Sequence, residues 1–124
     1  MLRTLFIGIA GLAGTLLRYW LSGFVARRYG ETFPAGTMVV NVLGCLIAGA
    51  VFYLTEERFL VNPTLRTVIL IGLLGGFTTF SSYGLQTFTL LRDGEFALAT
   101  INIVVSNVLG LFMVWVGYGL VKAF

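Results

Sequence analysis

The chain has no histidine and one cysteine, Cys45, among its 124 residues. A single thiol forms no intrachain disulfide, and a zinc or haem site has almost no ligands to draw on. Charge is equally scarce. Eight basic and five acidic residues make up 10% of the chain, against about 25% in an ordinary soluble domain. A soluble fold this small exposes much of its surface and would need more polar cover. These shortages exclude a soluble enzyme, a disordered tail and a nucleic-acid module. No basic cluster exists beyond Arg27-Arg28, so the net charge of +3 and pI near 9.4 reflect membrane-flank anchors rather than a nucleic-acid partner.

What is abundant is apolar sequence: 58% hydrophobic residues, 16 glycines and a mean hydropathy of +0.98. A spanning helix needs about 20 mostly apolar residues. Four runs meet that need, at residues 5–26, 37–54, 65–91 and 96–121. They are too long and too continuously apolar for barrel strands. The first continues to Ala26, beyond the usual length of a cleaved leader's apolar region, and reads as a span. The expected fold is therefore a single all-α, four-helix membrane domain over residues 1–124, with short loops. An even number of spans puts both termini on one side. That side carries Arg3, Arg58, Arg66 and Lys122; the other carries Arg27, Arg28 and Arg92. Four against three gives almost no orienting bias. Insertion both ways up follows as an expectation, and with it an antiparallel homodimer.

Polar residues inside lipid are expensive, so their positions carry information. The third run holds Gly75-Gly76-Phe77-Thr78-Thr79-Phe80-Ser81-Ser82-Tyr83-Gly84, centred between Arg66 and Arg92. Glycines weaken a helix by roughly 1 kcal/mol each relative to alanine, and hydroxyl side chains compete for backbone hydrogen bonds. The third helix is expected to break there, at mid-membrane, freeing carbonyls for a cation or amides for an anion. The competing reading is a close-packing face built on Gly72, Gly76 and Ser81. Asn41 lies in the second run. In the fourth, Asn102, Ser106 and Gly110 share one face by i, i+4, i+8 spacing, with Asn107 adjacent; spacing alone favours packing over a pathway. Phe80 and Tyr83, at i and i+3, line one surface. Arg18 is the one ionisable residue well inside a run, facing the bundle, a watery vestibule or the interface by snorkelling. No Asp or Glu lies inside any run. An interior of amides and hydroxyls with one positive charge suits an anion or a neutral solute.

At this point the sequence resembles the CrcB/Fluc family of fluoride channels. The likeness spans nearly the whole chain: four spans at this length, Gly36-Thr37 followed by Asn41, and Gly75-Gly76-Phe77-Thr78-Thr79-Phe80-Ser81 in the third span. The resemblance implies an antiparallel, dual-topology dimer in the cell's inner membrane, with a central Na⁺ on backbone carbonyls at positions matching Gly75 and Thr78. It implies anion pathways lined by Asn41, Phe80, Tyr83, Ser81 and Ser106, with Arg18 raising anion concentration in a vestibule. Thr37, Ser82, Gln86 and Asn102 are further candidates for the site. Three residues depart from the family pattern: Tyr83 where Phe is usual, Gln86 where a glutamate is common, and Asn102 where Tyr or Ser is frequent. The function implied is passive, selective F⁻ efflux that protects the cell from fluoride. Two alternatives stand beside it. A small multidrug-type exporter is also short and four-span, but needs a membrane carboxylate to titrate. A membrane assembly protein without transport leaves the glycine-hydroxyl cluster with packing alone to do.

Overall fold

The computed structural model describes all 124 residues and is all-helical. Four helical runs are long and apolar enough to cross a membrane: Leu2–Tyr29, Ala35–Glu56, Pro63–Arg92 and Phe96–Lys122. Each extends its apolar stretch by up to three residues into the flanks, because helical hydrogen bonding continues until a capping or turn residue stops it. The first is α1 (Leu2–Tyr29), ended by Gly30 at φ 88°, a conformation glycine adopts without steric cost. The second is α2 (Ala35–Glu56).

The third run is composite. A short α3 (Pro63–Thr67) starts on Asn62, whose side chain accepts from the Leu65 N–H at 2.8 Å, with Pro63 at the first helical position. A π-helical stretch, Val68–Leu73, leads into α4 (Leu74–Phe77). Regular helix stops at Phe77. Thr78 (φ −87°, ψ 158°) and Thr79 (φ −151°, ψ 113°) are extended, and α5 (Phe80–Arg92) begins after them. A turn through Gly94 at φ 78° leads to α6 (Phe96–Lys122).

The helices pair along glycine seams. In lipid, association depends on close van der Waals packing rather than on hydrophobic drive. On α2 and α6, Gly49 and Gly117 let the backbones touch. A Cβ on Gly49 would collide with the Val114 carbonyl oxygen, and one on Gly117 with that of Leu46. On the other side, α1 lies along the π stretch and α4. A Cβ on Gly14 would collide with the Leu73 carbonyl, and one on Gly76 with that of Gly11. The packing role considered for Gly72 and Gly76 is thus present. Beyond Thr79 the chain leaves α1, and α5 packs mainly on α6. The small buried core is Val40, Leu74 and Phe77. Most other large apolar side chains face outward, as suits a lipid solvent.

Both termini lie at one end of the bundle. There Arg3 donates to the Thr67 hydroxyl, the Tyr118 hydroxyl donates to Glu57, and Arg66 pairs with Glu56.

The α2–α6 seam yields a paired expectation. Gly117→Ala should destabilise by about 1–3 kcal/mol despite alanine's better helix propensity. Gly119→Ala, where a Cβ meets open space, should not. Melting temperatures of the two variants in detergent check this; equal values would show that the seam is not tight.

Candidate functional site

The site forms where α2 faces the two extended residues. Thr79 has lost both helical partners, and Asn41 replaces them. Its Nδ2 donates to the Thr79 carbonyl at 3.1 Å, and its Oδ1 accepts from the Thr79 N–H at 2.8 Å. A primary amide is the side chain that matches a peptide's donor and acceptor at once. Thr79 in turn starts α5: its Oγ1 accepts from the Ser82 N–H at 3.2 Å and donates to the Ser82 hydroxyl at 3.0 Å.

These bonds have consequences for neighbouring carbonyls. In a continuous helix the Gly75 carbonyl would accept from the Thr79 N–H, and the Thr78 carbonyl from the Ser82 N–H. The first of those amides goes to Asn41, and the second to the Thr79 side chain. Neither carbonyl receives its helical bond. Arg18 holds the next one: its Nε donates to the Gly76 carbonyl at 2.9 Å. The arginine therefore faces the bundle and acts on the α1–α4 contact.

A cavity of about 410 Å³ opens beside these residues. It brings together Asn41, Gly75, Thr78, Phe80, Tyr83 and Ser106. No Asp, Glu, Lys or Arg lines it. The Phe80 and Tyr83 rings are tilted by 44° with centroids 5.5 Å apart. Phe80 is 82% exposed on the single chain.

The other sequence candidates lie elsewhere. Ser81 is exposed, with its Oγ 3.4 Å from the Thr79 Oγ1, and Ser82 stays at the α5 cap. Thr37 is buried and lines a second cavity with Gln86 and Ser22. The Oε1 of Gln86 is buried without a partner. Asn102 is 2% exposed and belongs to the α5–α6 interface: its Nδ2 donates to the Thr87 hydroxyl at 2.9 Å, and its Oδ1 accepts from Ser106 at 3.3 Å. Three cavity residues, Thr79, Asn107 and Cys45, were not among the sequence's site candidates. Asn107 sits one position off the i, i+4 stripe, and that adjacency was the available signal.

Fold and site together define a small multi-pass membrane protein with a polar, uncharged cavity beside an opened stretch of backbone. Comparison with known proteins makes this specific. Residues 5–118 match the model of the family described as CrcB-like protein, Camphor Resistance (CrcB). The chain is 53% identical over 116 residues to a protein of Opitutus terrae named "Fluoride-specific ion channel FluC", covering 92% of this chain and 88% of the relative. A protein of the same name from Nitrosococcus oceani is 46% identical over 112 residues, 90% of each chain. Another, from Citrifermentans bemidjiense, is 41% identical over 123 residues, 99% of each. The chain belongs to the CrcB family.

The Asn41–Thr79 pair should be costly to remove. Asn41→Ala leaves a peptide donor and acceptor without partners, a loss of about 2–4 kcal/mol for two such groups. A melting temperature unchanged from the parent would show that the pair contributes nothing.

Proposed function

We propose that this chain forms a fluoride-selective channel that lets F⁻ leave the cell down its gradient, without ATP. The observation that carries the reading is the composition of the cavity beside Asn41 and Thr79. Two amides, four hydroxyls and two aromatic rings converge on a space with no formal charge. A selective pore must replace an ion's hydration shell while binding weakly enough to release it. An unspent amide hydrogen serves as a donor, and ring edges carry the positive part of the aromatic quadrupole, while the Ser106 hydroxyl is already given to Asn102. No fixed cation lines the cavity to trap the anion. Asn41 spends one Nδ2 hydrogen on Thr79 and keeps the other for the pathway. The names of the relatives, fluoride-specific ion channels at up to 53% identity, support the same reading. Protection follows from acid–base chemistry: HF crosses the membrane, ionises inside, and the anion leaves through the protein.

The working unit in this proposal is an antiparallel, dual-topology homodimer in the cell's inner membrane, its third helix opened at the bilayer midplane. The four-to-three balance of flanking basic residues supports insertion both ways. Phe80, largely uncovered on one chain, gains a neighbour in such a pair. A central Na⁺ fits the residues present. The Gly75 and Thr78 carbonyls lack their helical amides, and oxygen acceptors of that kind suit a hard cation and repel an anion. Gly75 is exposed on the single chain, which leaves its carbonyl region accessible to a second copy. When bound, the ion supplies positive charge that offsets the unpaired carbonyls. Arg18, bonded to the Gly76 carbonyl, adds a fixed positive charge near the same level, which raises the local anion concentration.

Purified protein in liposomes, followed with a fluoride electrode, tests the proposal. Fluoride efflux is expected, with chloride far slower; absence of fluoride efflux, or equal chloride flux, refutes it. Phe80→Ile should lower fluoride flux by about ten-fold or more through loss of the ring edge, with the dimer intact on gel filtration. Unchanged flux would remove Phe80 from the pathway. Replacing Na⁺ throughout by N-methylglucamine should depress flux and lower the melting temperature; indifference in both would exclude a bound Na⁺.

A further inference from the structure

We propose that Asn107 is a positioning residue that fixes the direction of the Tyr83 hydroxyl, so that Tyr83 presents an O–H donor to the anion pathway. The inference rests on the channel reading above and assigns a specific donor within it.

The argument begins with the orientation of the Asn107 amide. One of its terminal atoms lies 2.7 Å from the Ile103 carbonyl oxygen. A carbonyl only accepts, so that atom is the nitrogen, Nδ2. The same Nδ2 lies 3.1 Å from the Tyr83 hydroxyl. An amide nitrogen has no lone pair to offer, so the tyrosine oxygen accepts there. Both Asn107 hydrogens are then used, one on α6 itself and one on α5. The phenol's own proton is left over, and no acceptor in the chain takes it. It cannot point toward Asn107, whose N–H occupies that side.

Tyr83 and Asn107 both line the cavity, together with Phe80, Asn41 and Ser106, so a hydroxyl turned away from Asn107 has that space open to it. An apolar setting makes an unspent O–H costly, and a desolvated anion is the acceptor that satisfies it best, because charge-assisted hydrogen bonds are the stronger kind. A phenylalanine at position 83 offers only a ring edge. Tyr83 offers a proton, and Asn107 keeps that proton from turning toward α6. Asn107 is itself exposed on the single chain. An amide on a spanning helix is expensive to maintain, and anchoring Tyr83 gives it a use.

A double-mutant cycle read as liposomal fluoride flux tests this. Parent flux tests the channel reading by itself; the cycle tests the inference. Tyr83→Phe should reduce flux by about ten-fold, and Asn107→Leu by roughly three-fold or more, since the hydroxyl is then free to rotate. In the Tyr83→Phe background, Asn107→Leu should add no further loss beyond about two-fold. Equal losses from Asn107→Leu in both backgrounds, or none in the parent, would overturn the proposal. A second readout is independent of flux. The chain has five tyrosines, so Cζ-labelled tyrosine gives few NMR signals, and the Tyr83→Phe spectrum identifies the one that belongs to Tyr83. That resonance should move as fluoride is titrated, and Asn107→Leu should weaken the apparent affinity. A resonance indifferent to fluoride, or one titrating identically in the variant, would contradict a directed donor.

Discussion

One peptide group depends on one side chain. The amide of Asn41 takes both the N–H and the C=O of Thr79, at 2.8 and 3.1 Å. A peptide group within lipid needs its bonds made, since an unpaired group there costs several kcal/mol. Asn41 makes them from α2, so Thr79 can remain extended where a helix would otherwise run on. The rest follows from that exchange. Gly75 loses its helical donor to Asn41, and Thr78 loses its own to the Thr79 side chain, which caps α5. The two carbonyls freed of their helical amides and the Phe80–Tyr83 ring pair therefore lie within one nine-residue stretch, 75–83.

The same segment is held from the other side by packing. Gly72 and Gly76 bring the third run against α1 so closely that a Cβ on either would strike backbone, and Arg18 adds a hydrogen bond to the Gly76 carbonyl. Up to Phe77 the chain belongs to α1; from Phe80 it belongs to α6. Packing and polar chemistry, competing readings when the glycine-hydroxyl run is seen as sequence, are consecutive parts of one device. The glycines fix where helix ends, and the hydroxyls and Asn41 satisfy what the ending exposes.

Much of this is legible in the residues alone. Apolar length marks four spans, with Phe96 starting the last in both sequence and structure and the others extending into their flanks. The crowding of Gly75, Gly76 and four hydroxyls marks the weak point of the third run. What spacing does not reveal is the rotation of each helix about its own axis, and therefore which polar group meets which. Asn102 heads the i, i+4 stripe, yet it turns to Thr87 and is buried in the α5–α6 contact. Asn107, one step off that stripe, reaches Tyr83. Arg18 finds a backbone oxygen fifty-eight residues away. The π-helical stretch before Leu74 has no local sequence mark either; it lies along α1.

Solid-state NMR of the protein in lipid bilayers tests the central claim most directly. If Asn41 holds Thr79 out of the helix, the Cα and carbonyl shifts of Thr78 and Thr79 will be those of extended backbone. A through-space correlation will also join the Thr79 amide to the Asn41 side-chain carbonyl carbon. Helical shifts at both threonines, with the Thr79 N–H bonded to the Gly75 carbonyl, would contradict the account at its origin.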